Sequence, residues 1–151
     1  VNVQGDEPLI DKNSLQKLIN TFKDDNDNEI DLVSLMKVIS SSNEIQNPNN
    51  VKVVTDKNNF ALYFSRTPVP FSTVPNFKVK YFKHIGVYGF RKKSLVDFYN
   101  SKPTKLELIE KLEQLRYLEN GKKIKMVITD FDGIGIDTME DLINARKLIN
   151  D

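Results

Sequence analysis

The feature that most constrains the fold is the alternation of short apolar runs with segments of helical periodicity along the whole chain. Such alternation is typical of layered α/β folds, in which helices cover the faces of one sheet. The predicted strands are residues 1–4, 30–39, 51–55, 60–64, 84–91 and 123–129. The tetrapeptide Asp56-Lys57-Asn58-Asn59 resembles the turn of a hairpin. We therefore predict an α/β fold.

Four helices fill the intervals between these strands. We predict them after a cap at Asp11 or Ser14, then over residues 93–99, 105–119 and 138–149. The first is expected to bury a stripe made of Leu15, Leu18, Ile19 and Phe22. The third carries a capping box, Thr104 with Glu107, and ends before Gly121. We predict loops over residues 40–50 and 67–79, and the second of these contains prolines and is long enough to contact a partner.

Composition excludes several functional classes. The 151 residues carry 22 basic and 21 acidic side chains, and this balance does not indicate a nucleic-acid partner. There is no cysteine, which rules out disulfides, zinc–thiolate sites and cysteine nucleophiles. No apolar run approaches membrane-spanning length, so we expect no membrane partner and a cytoplasmic location. The chain lacks an initiator Met and begins in a strand-like pattern, so we expect it to be part of a longer protein.

Two loop carboxylates are candidates for a magnesium site. Asp6 follows the first strand in the run Gln4-Gly5-Asp6-Glu7-Pro8, and Asp137 lies in a glycine-containing loop before the last helix. If both meet at one edge of the sheet, a Mg²⁺ ion bound to phosphate oxygens would relieve their mutual repulsion. The alternative interpretation is structural, because Asp6 suits a solvated turn and Asp137 suits a helix cap.

The strand around residue 84 offers a possible sugar site. His84, Gly86, Tyr88 and Phe90 share one face because side chains alternate along a strand. Gly86 is expected to leave a gap between the imidazole and the phenol, about 13 Å apart along a regular strand. Such a gap suits a polyhydroxylated ligand. The alternative is that His84 is a structural residue of the core.

The helix predicted over residues 105–119 carries charges at its apolar face. Helical projection places Leu108, Ile109, Leu112 and Leu115 inward, with Glu113 and Arg116 at the edge of that stripe. These two charges either pair with each other or leave Glu113 to receive a ligand hydroxyl. Projection places Gln114 on the polar face. Elsewhere, Arg66 ends an apolar strand, where it either binds a carboxylate or is an ordinary surface cation.

Six sequence blocks taken in order are similar to the 3-deoxy-D-manno-octulosonate (KDO) cytidylyltransferase family. The blocks are VNVQGDEP, NPNNVKVV, FALYFSR, HIGVYGF, LEQLR and GIDTMEDL. The resemblance covers nearly the whole chain, and it implies an open, Rossmann-like three-layer sandwich with a mixed sheet whose first strands are missing. Residues 1–151 would then form the carboxy-terminal portion of one cytidylyltransferase domain.

The same resemblance implies roles for individual residues. It assigns Mg²⁺ to Asp6 and Asp137, as catalytic metal ligands. It places Gln4, Arg66, His84, Tyr88, Glu113 and Gln114 around the substrate. The implied reaction is activation of KDO by CTP to give CMP-KDO and pyrophosphate, for lipopolysaccharide synthesis. The family's amino-terminal phosphate loop is not present, so we expect the chain alone to be inactive.

Several alternatives stay open at this stage. One alternative is an enzyme that acts on a different acidic sugar, such as sialic acid or an amino-substituted KDO. The chain is alternatively a non-catalytic interaction module descended from such an enzyme. The resemblance also implies a homodimer, whose partner contact we would place after Arg66.

Overall fold

A computed structural model describes residues 1–5, 9–75 and 77–131, together with positions 139, 143 and 146. The strands are β1 (Asn2–Val3), β2 (Leu32–Ile39), β3 (Lys52–Thr55), β4 (Ala61–Ser65), β5 (Tyr81–Phe90) and β6 (Ile124–Ile128). The helices are α1 (Lys12–Lys23), α2 (Ser42–Gln46), α3 (Lys92–Asn100), α4 (Lys105–Glu110) and α5 (Gln114–Glu119). The helix predicted over residues 138–149 lies largely outside the described residues. None of the described helices is long and apolar enough to cross a membrane.

The strands form one open, mixed sheet, which confirms the predicted fold class. Its order is β4-β3-β5-β2-β6, and β1 pairs with β5. Strand β5 runs antiparallel to β1, β2 and β3, whereas β2 and β6 are parallel. The β3–β4 hairpin is confirmed as well: the Asp56 side chain accepts backbone N–H bonds from Asn58 and Phe60, both at 2.8 Å.

Apolar residues alternate along β2 and produce one core on each face of the sheet. Val33 and Leu35 belong to a cluster under α1, whereas Leu32 and Met36 belong to a cluster that includes residues of α5. This alternation is the two-residue period of a strand buried on both faces. Helices therefore cover both faces of the sheet in three layers.

Helix α1 begins as predicted, and Leu15, Leu18 and Phe22 of the predicted stripe pack in the cluster under it. The Asp11 carboxylate caps it by accepting the Ser14 N–H at 3.0 Å. Leu18 is fully buried, whereas Ile19 is 39% exposed and Ser14 is buried instead. The prediction for Ile19 was wrong because the buried face is centred on Leu18, and Ile19 turns away from it. The predicted loop over residues 40–50 also contains a short helix, α2.

The single helix predicted over residues 105–119 is two helices separated by a break. Lys111 adopts a left-handed conformation with φ 56° and ψ 47°. The Arg66 guanidinium donates to the carbonyl oxygens of Glu110 and Lys111, at 2.8 and 3.4 Å. In a continuous helix those carbonyls would accept bonds from residues 114 and 115. Because Arg66 replaces those donors, the helix can end there.

The helical projection made from the sequence is correct for Leu112 and Leu115, which are buried, but this break makes the rest of it wrong. Leu108 and Ile109 are 53% and 67% exposed rather than inward. Gln114 is buried rather than on a polar face, and Glu113 is exposed. The expected Glu113–Arg116 pair is replaced by a pair between Arg116 and Glu107. The physical reason is that α5 is rotated relative to α4, so that the two helices do not share one apolar stripe.

Candidate substrate cleft

 A cleft lies over the α5 side of the sheet, where β1 and β5 meet α3 and α5. The empty volume of this cleft is about 300 Å³. The lining residues are Asn2, Gln4, Leu32, Tyr88, Phe90, Phe98, Glu113, Gln114 and Tyr117. Four of them, Gln4, Tyr88, Glu113 and Gln114, are residues that the sequence predicted around a substrate. They come from three separate parts of the chain, and the fold brings them together.

His84 lies directly behind this lining. Its Nδ1 is 3.5 Å from Gln114 Nε2, and its Nε2 is 2.8 Å from Ser34 Oγ. The ring also contacts Phe64 and Tyr88, with centroids 5.1 and 5.5 Å away. Burial lowers the pKa of His84 to about 3, because the charged imidazolium would lose its hydration. The ring is therefore neutral at pH 7 and supports the cleft through hydrogen bonds.

The gap predicted between His84 and Tyr88 is not present. The rings contact each other instead of standing about 13 Å apart. The β2–β5 pairing shifts between Ser34 and Leu35, and this bulge shortens the path between the two rings. A Cβ added at Gly86 would meet Gln4 Cγ at 3.7 Å, so the space beside this glycine borders the Gln4 side chain.

Aromatic rings form a continuous wall along one side of the cleft. Neighbouring ring centroids are 5.9 Å apart for Tyr88–Phe90, 6.2 Å for Phe90–Tyr117 and 4.8 Å for the stacked pair Phe98–Tyr117. Burial raises the pKa of Tyr117 to about 12, so its phenol stays protonated. The cleft thus combines apolar ring surface with a few polar groups, a composition typical of small-molecule sites.

Helix α5 is held in place by Arg116. Its guanidinium pairs with Glu107, with Nε 2.7 Å from Oε2, and also donates to Ser101 O at 3.2 Å. It stacks on the Phe98 ring, 4.1 Å from the centroid. The hydrogen bonds from Arg116 lower the pKa of Glu107, so the carboxylate is charged at neutral pH. This buried pair fixes the helix that presents Glu113 and Gln114 to the cleft.

Arg66 has structural partners in this chain. Besides Glu110 and Lys111, its guanidinium donates to Pro48 O at 3.1 Å. Its backbone N–H donates to Glu110 Oε2 at 3.1 Å. Arg66 therefore organises the break before α5, and its role as a ligand for a sugar carboxylate stays a prediction.

The two predicted metal ligands, Asp6 and Asp137, lie outside the described residues. Over the described ranges, no group of three or more His, Asp or Glu side chains is arranged to hold a metal ion. The magnesium site therefore also stays a prediction.

Sequence reasoning missed Ser34 and two rings of the aromatic wall, Phe98 and Tyr117. Ser34 is fully buried in the run Leu32-Val33-Ser34-Leu35-Met36, where a lone hydroxyl among apolar residues was the available signal. Phe98 and Tyr117 gave no signal, because their meeting depends on how α3 and α5 pack.

A mixed open sheet with a cleft over one helical layer defines an α/β domain with a candidate small-molecule site. The comparison with known families makes the class specific. The sequence model described as Cytidylyltransferase matches residues 1–124, and the chain belongs to that family.

Similar proteins agree with this assignment. The 3-deoxy-manno-octulosonate cytidylyltransferases of Christiangramia forsetii and Flavobacterium johnsoniae are 57% and 56% identical over 150 and 151 residues. These matches cover 99% and 100% of this chain and 60% and 62% of the relatives. A solved structure of CMP:2-keto-3-deoxy-manno-octonic acid synthetase complexed with CTP matches with a TM-score of 0.88 and 34% identity, covering 99% of this chain and 60% of that one. The chain thus spans about 60% of the length of these relatives.

Proposed function

We propose that this chain supplies the acidic-sugar site of an enzyme that activates KDO with CTP. The anomeric hydroxyl of KDO attacks the α-phosphorus of CTP, pyrophosphate leaves and CMP-KDO forms. The observation that carries the proposal is the cleft that gathers Gln4, Tyr88, Glu113 and Gln114. The names of the similar proteins supply the substrates.

The cleft chemistry suits a polyhydroxylated ligand. The Glu113 carboxylate accepts hydrogen bonds from hydroxyls, and the Gln4 and Gln114 amides both donate and accept them. The aromatic wall beside them supplies apolar surface that fixes the ring of a sugar in place. His84 supports Gln114 from behind as a neutral ring.

The metal is part of the same proposal. Asp6 and Asp137 would hold Mg²⁺, and the ion would supply positive charge that offsets the charge of the phosphates in nucleotidyl transfer. The support is the chemistry of the residues, because carboxylate oxygens are ligands that Mg²⁺ prefers. Asp6→Asn and Asp137→Asn should each abolish pyrophosphate release in the longer protein. Unchanged turnover in both variants would contradict the metal assignment.

A homodimer is proposed from the segment that follows Arg66. Phe71, Val74 and Phe77 are 86%, 60% and 65% exposed on this segment. Exposed apolar residues of this kind mark interaction surfaces. Sedimentation of a Phe71→Ser/Phe77→Ser variant should show a shift toward monomer, and an unchanged dimer would contradict this surface.

We place the reaction in the cytoplasm and its product in lipopolysaccharide synthesis.

The deciding experiment measures pyrophosphate release from CTP in the longer protein that contains this chain. KDO should be the preferred sugar over sialic acid and an amino-substituted KDO. Preference for a nonulosonic acid would overturn the KDO assignment. No release with any sugar would favour a non-catalytic interaction module. The 151 residues alone should release no pyrophosphate.

A further inference from the structure

We propose that Ser34 is a positioning residue that sets the direction of the hydrogen bonds running through His84 to Gln114. As a result, Gln114 turns its carbonyl oxygen toward the cleft and accepts a hydrogen bond from a ligand hydroxyl. The proposed function supplies only the identity of that ligand, a sugar acid. The direction of the hydrogen bonds follows from the described residues alone.

The chain of bonds begins at the bulge in β5. Ser34 Oγ is 2.9 Å from Val87 O and 3.2 Å from Ile85 O. A hydroxyl has one proton and two lone pairs, whereas a backbone carbonyl only accepts. The Ser34 proton therefore points to a carbonyl, and its lone pair is left for the third neighbour, His84 Nε2.

This arrangement selects one form of the imidazole. To complete the contact with Ser34, His84 must carry its proton on Nε2. Burial keeps the ring neutral, so Nδ1 is then an acceptor. An acceptor at Nδ1 requires a donor on Gln114, which is its amide Nε2 at 3.5 Å.

The hydrogen bond to His84 also fixes the orientation of the other end of the Gln114 amide. With its nitrogen directed to His84, its carbonyl oxygen is the end left for the cleft that Gln114 lines. The cleft then presents an acceptor at this point, which favours a ligand group that donates. Ser34 is fully buried and does not line the cleft, so it acts only through His84.

The test is ¹⁵N NMR of the imidazole. His84 is the only histidine among the 151 residues, and the His84→Phe variant identifies its signals in a longer protein. We expect a protonated Nε2 and an unprotonated Nδ1 at pH 7. A protonated Nδ1, or an imidazolium, in the unmutated protein overturns the proposal whether or not any variant folds.

Ser34→Ala should convert the ring largely to the Nδ1–H form, because the acceptor for Nε2–H is gone. Ser94→Ala is the matched control, since Ser94 is also a buried serine but donates to Asp31 at 2.8 Å. The control should keep the Nε2–H form. An Nε2–H ring in folded Ser34→Ala protein would show that Ser34 does not set the tautomer.

Kinetics separate this inference from the proposed function. In the longer protein, Ser34→Ala should raise KM for KDO about three- to tenfold, as expected for one weakened hydrogen bond, and leave KM for CTP unchanged. The Nε2–H form without KDO turnover would overturn the proposed function and keep the role of Ser34. KDO turnover with an Nδ1–H ring would keep the proposed function and overturn the role of Ser34.

Discussion

The two faces of the sheet differ in the kinds of side chain that they bury. Under α1, the core cluster consists of apolar residues, and Gly89 lets the helix approach so closely that a Cβ there would lie 2.5 Å from Leu18 Cδ2. The opposite face has its own apolar cluster but also buries His84, Glu107 and Gln114. Burying polar groups is costly unless each has a partner. The comparison teaches that buried polar groups on the cleft face include those that line or support the cleft, whereas the buried hydroxyls of Ser14 and Thr129 on the α1 face bond to each other.

The largest effect is expected at the buried ion pair on the cleft face. Glu107→Gln should lower the free energy of unfolding by about 3–5 kcal/mol, because it leaves Arg116 buried without its anion. Urea unfolding measures this loss. Lys93→Ala is the control, since it removes an exposed pair with Asp97 and should cost no more than about 0.5 kcal/mol. Equal losses in both variants would mean that burial of the Glu107–Arg116 pair has no energetic consequence.

The α1 face is tested by Leu18→Ala, which creates a cavity under the helix. Leu18 is fully buried, so the free energy of unfolding should fall by about 2–5 kcal/mol. KM for KDO should not change, because no residue of α1 lines the cleft. Leu62→Ala, at a position 62% exposed, should change stability by about 0.5 kcal/mol or less. A selective rise in KM for KDO in Leu18→Ala would contradict the claim that packing under α1 affects stability without affecting the cleft.

A smaller effect is expected when the cleft face is acidified. Because the pKa of His84 falls from 6.5 to about 3 on folding, the unfolded chain binds a proton in this interval that the folded chain does not. Stability should therefore decrease as pH falls below 6.5, by about 1.4 kcal/mol per pH unit. Carboxylates with lowered pKa, such as Glu107, add their own loss only below about pH 4.5.

The control for this pH dependence is His84→Phe. Between pH 6.5 and 5, the variant should lose most of the slope seen in the unmutated chain. Chemical denaturation at a series of pH values measures both slopes. The same slope in the two proteins would show that another group titrates in this interval.

The sequence was sufficient for the sheet and for part of the cleft. Strand periodicity predicted β2 and the β3–β4 hairpin, and the family resemblance brought together Gln4, Tyr88 and Gln114. The prediction of a single helix over residues 105–119 failed, because the break at Lys111 depends on Arg66, which is distant in sequence. No local propensity reveals such a contact. The ring contact between His84 and Tyr88 was missed for a similar reason, because a bulge in the pairing with β2 determines it.

The most direct test of the cleft as the sugar site is Gln114→Ala in the longer protein. We predict that KM for KDO rises about tenfold, the loss of about one hydrogen bond, while KM for CTP is unchanged. Asn120→Ala is the matched control on the same part of the chain, because Asn120 caps α5 and does not line this cleft. An unchanged KM for KDO in Gln114→Ala, or an equal rise for both substrates, would contradict the account.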